Sequence, residues 1–368
     1  MSSELTKITR LIIQPAHTPL ERPAKAGTIT HHKIGIVAIA LESDSGARGE
    51  AFAFTLNAQK IRPIVQMFEE IAPLLIGQRL DELSAFAERY SKTNRFFGSE
   101  GVEVHCVSTI DSAIWDLKAK VLDSPIHSLI GTKRRQIPTY WSGGFYLSDT
   151  IDELEREAEL RRTQGWRALK IRIDGQNEDA TIERIAAVRR VVGNDLQLMV
   201  DANQTLTVPT AVRLSRRICD EGLMISWLEE PVRPDDHNAE LKVAERCEIP
   251  IATGESLYLP RAFRPLLREA GVGSLMPDLQ RVGGISGVLA IAHAANVFGI
   301  PISSHLFPEM SLGLIAAMEN ATWLEYIPWF ESFYQETITI KDGFAEVSDR
   351  PGHGFSLDWD KIAAFSIA

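Results

Sequence analysis

Seven short apolar runs between residues 168 and 326 each end on residues that could do chemistry. ALKIRI carries Lys170 and Arg172, QLMVDAN carries Asp201 and Asn203, and ISWLEEP carries Glu229 and Glu230. IPIATGES carries Glu255, SLMPD carries Asp278, IPISSH carries His305 and TWLEY carries Glu325. From Asp201 on, successive positions lie 20 to 28 residues apart, the length of one strand–helix unit. A polar residue after a strand often does no more than cap the next helix. Capping favours Ser, Thr, Asn and Asp, however, and three of these strand-end positions are Glu. In LKIRI, side chains alternate across the strand. Leu169, Ile171 and Ile173 therefore share one face, and Lys170 and Arg172 the other. Two cations side by side in a low-dielectric setting repel strongly, so that face must meet negative charge.

The negative charge is at hand. Asp201, Glu229 and Glu255 would converge from adjacent strands. Three carboxylates at one point are costly unless a cation joins them or one protonates. Hard oxygen donors without Cys or His suit Mg²⁺, with Mn²⁺ as the alternative. His305 has Asp278 one strand earlier, the pairing of a general base with its orienting carboxylate. Of the remaining histidines, His31, His32, His237 and His353 read as structural or exposed.

These residues need a scaffold that gathers strand ends. From about residue 136, apolar runs alternate with amphipathic helical stretches: eight strands with crossover helices over about 190 residues. Repeating βα units predict a parallel sheet, and eight of them predict a TIM-type barrel, with catalytic groups at the C-terminal strand ends. A doubly wound sheet would need no eighth unit and would bring a glycine-rich first turn, which is missing. Before residue 136 the pattern is mixed α+β. TKITRLIIQP and KIGIVAIALES read as strands, SGARGEAFAF as a hairpin partner, and helices are predicted near 58–76, 80–93 and 104–121. The tail, TITIKDGFAEVSDRPGHGFSLD, returns to strands and turns and is expected to pack back on the N-terminal part.

Bulk properties narrow the class. The 368 residues are 45% hydrophobic and 24% charged, with net charge −10 and acidic and basic residues interspersed. That excludes a nucleic-acid-binding surface built on basic stretches. No window approaches the run of about 20 apolar residues that a membrane span needs, and MSSELTKITRLII lacks the pattern of a signal peptide. The three cysteines, Cys106, Cys219 and Cys247, are widely spaced. They suggest neither a disulfide framework nor a zinc site, which fits a reducing cytoplasm.

Taken together, AIWD at residues 113–116, LKIR, DANQ, LEEP, TGES, MPD, SSHLFPE and the closing PGHGFSLD resemble the enolase superfamily, most closely its mandelate racemase subgroup. The resemblance spans nearly the whole chain. It implies a modified (β/α)7β barrel over residues 136–335 and an α+β capping domain over 1–135, completed by 336–368. It implies Mg²⁺-assisted removal of the proton α to a carboxylate through an enediolate. Asp201, Glu229 and Glu255 would be the metal ligands and His305, paired with Asp278, the base. Glu325, protonated, would hydrogen-bond the substrate carboxylate, and Asn203 would polarise the reacting end. The partner is a small-molecule carboxylate, with no nucleic acid or membrane, and the family implies a homo-oligomer.

One position departs from the pattern. Mandelate racemase has lysines at both cation positions, and the second is a base. Arg172 stands there, and arginine stays protonated. Both cations are expected to face the substrate carboxylate, with the Lys170 pKa depressed by Arg172 and the metal. A racemase needs two competent groups, so one clear base favours dehydration of an acid sugar to a 2-keto-3-deoxy acid. The alternatives are racemisation or epimerisation of a 2-hydroxy acid, and cycloisomerisation. A non-catalytic binding or structural role on this fold would predict gaps in the set, and only Arg172 departs. Substrate choice is expected in loops near 17–32 and 52–57 and in Tyr140–Phe145. There Thr30, His31, His32, Thr55 and Asn57 could meet hydroxyls, or Phe52 and Phe54 an apolar group.

Overall fold

The computed structural model describes residues 6–366 other than 95, 97 and 270. Strands β1 (Ile8–Ala26), β2 (Ile29–Ser43) and β3 (Arg48–Leu56) form an antiparallel sheet in the order β1-β2-β3. Every residue of β2 from Ile34 to Leu41 is buried, as expected of a central strand covered on both faces. Four helices follow: α1 (Ile61–Leu75), α2 (Phe86–Thr93), α3 (Val102–Val121) and α4 (Ile126–Ile130). The first three lie within a few residues of their predicted places, and a 3₁₀ turn at Glu82–Ala85 shortens α2.

A closed parallel barrel comes next. Its strands are β4 (Gln136–Trp141), β5 (Ala168–Arg172), β6 (Gln197–Asp201) and β7 (Ile225–Glu229). They continue with β8 (Ile251–Thr253), β9 (Val272–Leu275), β10 (Ile302–Ser303) and β11 (Ala321–Tyr326), and β11 pairs with β4 to close the ring. Seven α-helices alternate with them: α5 (Ile151–Thr163), α6 (Glu178–Val192), α7 (Val208–Asp220), α8 (His237–Arg246), α9 (Arg264–Arg268), α10 (Gly284–Val297) and α11 (Pro308–Ala317). After β11 comes only a 3₁₀ turn at Pro328–Phe333, so the barrel has seven strand–helix units and a final strand.

The strand period of two builds the site. Tyr140, Ala168, Met199, Trp227, Ala252 and Met276 point inward and pack together, with Trp323 against them. This apolar layer plugs the barrel. Two residues further along the same faces stand Lys170, Asp201, Glu229 and Glu325. Register aligns them laterally, Arg172 beside Asp201 and Asp201 beside Glu229. The side chains that cap helices are other residues: Thr150 for α5, Asn177 for α6, Thr207 for α7 and Asp236 for α8. The strand-end carboxylates are therefore free for another task.

The tail serves both halves. Strand β13 (Phe344–Glu346), hairpinned with β12 (Ile340–Lys341), pairs antiparallel with β4 at residues 136–138. Beyond it the chain crosses to the N-terminal half. His353 N–H donates to Asp116 Oδ1 (2.8 Å), and the Trp359 indole donates to Glu50 Oε1 (2.6 Å). Trp359 opens α12 (Trp359–Ala364). The two halves also lock at helix α10, whose Ser286 N–H and hydroxyl both donate to Asp111 of α3 (2.9 and 2.7 Å). Among the described residues no helix is long and apolar enough to cross a membrane.

Strand β3 approaches α3 so closely that a Cβ at Gly49 would lie 2.2 Å from the Ala113 carbonyl oxygen. Overpacking of this kind costs roughly 1–3 kcal/mol. Gly49→Ala is expected to lower the denaturant midpoint accordingly, with an unchanged slope. A wild-type midpoint would show that β3 moves off α3 freely.

Candidate active site

A cavity of about 680 Å³ lies between the barrel mouth and the N-terminal half. The barrel contributes Lys170, Arg172, Asp201, Asn203, Glu255, Asp278, His305 and Glu325 to its wall. Glu229, the remaining candidate, is fully buried just beneath. The other strand-end residues singled out from the sequence thus meet at one site, whereas Glu230 accepts from Thr253 Oγ1 (2.8 Å) and Gln204 Nε2 (2.9 Å) outside it.

Lys170 is its charged centre. Its Nζ lies 2.5 Å from Glu229 Oε1, 2.8 Å from Glu325 Oε1 and 3.5 Å from Asp201 Oδ2, above the Tyr140 ring. Burial alone would lower its pKa, but Glu229 and Glu325 outweigh burial and hold it well above the ordinary lysine value. The depression was expected from Arg172 and a bound metal together; Arg172 points elsewhere, and the protein alone holds Lys170 protonated. Arg172 Nη1 donates to the Ser142 and Gly144 carbonyls (2.6 and 3.0 Å) and Nη2 to Ser142 Oγ (3.0 Å). It braces the β4–α5 loop and stacks over Tyr146, instead of lying beside Lys170. Its Nε is buried without a partner.

Burial raises the Glu325 pKa, but Lys170 and His305 more than offset this and hold it at about 2 in the protein alone. Its Oε2 accepts from Leu306 N–H (2.7 Å); the protonated form was expected beside a substrate anion. His305 Nδ1 bonds Asp278 Oδ2 (2.7 Å), and Nε2 lies 3.3 Å from Glu255 Oε2. Burial lowers the His305 pKa, yet Glu255 and Asp278 prevail and bring it to about 9. Asp278 Oδ1 accepts from Gln280 N–H (2.8 Å), which leaves Oδ2 for the imidazole.

The donor set fits a hard dication. Burial and mutual repulsion raise Glu229 well above the carboxylate range and Glu255 to about 7, so these groups ionise together only beside added positive charge. Among the described residues no three such side chains are already drawn around one point. Glu229 faces the Lys170 ammonium and Glu255 the His305 ring, the cations available from the chain itself. Asn203, at a positive φ of 41°, accepts nothing at its buried Oδ1, and its N–H donates to Asp201 Oδ1 (2.9 Å).

The N-terminal half closes the cavity with residues 26–31, 54–60 and 101–105. His31, expected to be structural or exposed, is buried on this wall. Asn57 is spent on bracing: it accepts from His32 N–H (2.9 Å) and donates to the Thr30 carbonyl (3.1 Å). Phe52 packs inward among Phe307, Phe330 and Tyr334, and only Phe54 of that pair reaches the cavity. Tyr140 and Phe145 are fully buried. Gln204, Ser256, Tyr258, His105, Gln280 and Arg281 also line the wall. Sequence reasoning passed over them because they lie in loops beyond the strand ends or on a helix of the other half. Their one signal is proximity in sequence, as with Gln204 in DANQ and Gln280 two residues after Asp278.

Comparison with known proteins agrees with this geometry. L-talarate/galactarate dehydratase of Salmonella typhimurium is 31% identical over 325 residues, 88% of this chain and 81% of that protein. Arabinonate dehydratase of Saccharolobus solfataricus is 29% identical over 342 residues, 89% of this chain and 90% of that protein. L-talarate dehydratase from a Polaromonas species, solved with Mg and L-glucarate, superposes with a TM-score of 0.92 at 30% identity. That match covers 99% of this chain and 98% of that one. Residues 8–131 match the mandelate racemase / muconate lactonizing enzyme N-terminal domain, and residues 153–361 match the enolase C-terminal domain-like family. The chain therefore belongs to the mandelate racemase / muconate lactonizing enzyme family of the enolase superfamily.

Proposed function

We propose that this protein is a Mg²⁺-dependent dehydratase of an acid sugar, converting a 2,3-dihydroxy acid into a 2-keto-3-deoxy acid. The observation that carries this reading is a one-sided site. His305 is the imidazole of the cavity that a carboxylate orients, whereas the β5 side offers Lys170, paired with Glu229 and Glu325, and Arg172, always charged and turned into a loop. A racemase needs a competent group on each face of the α-carbon, and elimination needs one base and a leaving group. The similar proteins named as talarate/galactarate and arabinonate dehydratases, and the similar structure holding Mg and L-glucarate, support the same reading.

Asp201, Glu229 and Glu255 would hold Mg²⁺, which when bound supplies a Lewis acid to the substrate carboxylate. Lys170 adds positive charge and a hydrogen bond at that end, and Glu325 stands beside it. Asn203 Oδ1 offers a further polar contact to the reacting end. In its neutral form, His305 Nε2 takes the proton from C2, while Asp278 holds Nδ1–H and stabilises the imidazolium that results. The C2 electron pair is first delocalised onto the carboxylate as an enediolate. It then forms a C2=C3 double bond as the C3–O bond breaks. The departing hydroxide takes the proton from His305 and leaves as water. The remaining enol tautomerises to the 2-keto acid.

Screening aldonic and aldaric acids for keto-acid formation tests the reaction. Chelation is expected to cut turnover at least about 100-fold, with Mg²⁺ restoring it. Full activity in an exhaustively metal-free preparation would exclude the metal role. His305→Asn should lose about 10²–10⁴ in rate, and Asp278→Asn about 10–100-fold, both with an intact fold. Wild-type α-proton exchange with deuterated water in His305→Asn would place the base elsewhere. Polarimetry should find no interconversion of 2-hydroxy-acid enantiomers by the wild type, and efficient racemisation would replace the dehydratase reading by a two-base one.

A further inference from the structure

On the wall away from the carboxylate cluster, four residues from a strand, two loops and a helix are joined by a directed chain of hydrogen bonds. The chain starts at the backbone of Phe54 in β3. Phe54 N–H donates to Gln280 Oε1 (2.5 Å), and Gln280 Nε2 donates to the Phe54 carbonyl (3.0 Å). These two bonds leave the Gln280 amide one orientation. Its Nε2 also lies 3.0 Å from Nδ1 of His105 on α3. An amide N–H aimed at Nδ1 requires a lone pair there. The ring proton must then sit on Nε2, which lies 3.0 Å from the Tyr258 hydroxyl, with the two rings stacked at 7°. Burial keeps the imidazole neutral, lowering its pKa to about 4 against the pull of Asp278. His105 therefore donates to Tyr258, and the Tyr258 oxygen has one acceptor position filled.

We infer that Tyr258 is a specificity-determining residue whose hydroxyl, held as a donor by His105 and Gln280, binds an acceptor oxygen of the substrate chain. The chemical class is an oxygen-bearing acid, meaning a polyhydroxy acid or dicarboxylate, as opposed to an acid with an apolar end. A preset donor gains a hydrogen bond when an oxygen arrives and is left unpaired when a methylene or ring does. Tyr258 lines the cavity on the side where the N-terminal half meets the barrel. A substrate whose carboxylate lies at Lys170 would extend its far end toward it. His105 and Gln280 are positioning residues in this scheme and touch the substrate only through Tyr258.

This inference rests on the proposed function, and two measurements separate its failure from that of the reading itself. The first needs no substrate. Long-range ¹H–¹⁵N correlation of histidine-labelled protein at pH 7.5, with His105 assigned through His105→Asn, should show Nε2 protonated and Nδ1 bare. The opposite tautomer would overturn the inference, whatever the enzyme turns over. The second uses the acid that the wild type converts fastest. Tyr258→Phe should raise its KM at least 10-fold with kcat changed less than threefold, leaving Tm and Mg²⁺ affinity as in wild type. It should also lose preference for that acid over its analogue deoxygenated at the far end. Unchanged KM and unchanged preference would overturn the inference. If the wild type produced no keto acid from any acid tested, the dehydratase reading would fall, and the tautomer would still decide whether Tyr258 is a preset donor.

Discussion

The whole barrel mouth is arranged around one electrostatic constraint: several carboxylates share a layer from which water is excluded. Lys170, Asp201, Glu229 and Glu325 are each no more than 2% exposed. Removing one member of a buried ion pair leaves an uncompensated charge and typically costs about 3–5 kcal/mol. Every group in the layer therefore depends on its neighbours. Lys170 satisfies three carboxylates at once, the Trp227 indole donates to Glu229 (2.9 Å), and Leu306 N–H fixes Glu325. The apolar plug of Tyr140, Met199, Trp227 and Trp323 beneath keeps the floor dry and so strengthens each of these interactions.

This layer was legible in the sequence because it obeys the strand period. A residue type that cannot cap a helix, recurring at the end of run after run, is a one-dimensional trace of a ring. What escaped is whatever depends on side-chain direction. LKIRI fixes the face on which Lys170 and Arg172 lie, but not that the longer guanidinium reaches past the ring to the Ser142 and Gly144 carbonyls. The charge states expected for Lys170 and Glu325 took a metal and a substrate anion as neighbours, whereas in the protein alone their neighbours are one another. The wall residues Tyr258, Gln280 and His105 carry no periodic mark. His105 is separated from Tyr258 by 153 positions in sequence, and only folding brings them together.

The seam between the halves is where chemistry and recognition touch. Gln280 bonds the Phe54 backbone with its side chain and Asp278 with its own N–H. The residue that seats β3 on the barrel thus also orients the carboxylate that holds His305. A displaced N-terminal half would disturb the dyad without altering any residue of it. The hairpin tip at Gly27 also approaches the barrel mouth. A Cβ there would lie 3.3 Å from Asn203.

The divided tail also governs when the chain can fold during synthesis. β4 has β5 beside it early, but gains β11 and β13 only near the end of the chain, and Glu50 meets Leu357 and Trp359 across more than 300 residues. Asp116 likewise waits for His353. Until then Glu50 and Asp116 have Lys120 as a cation but lack these late partners, and until β11 forms the barrel is an open sheet with two bare edges. Such edges invite pairing with other chains. The molecule therefore completes its first half only together with its second, and the barrel's edges stay open until β11 is made.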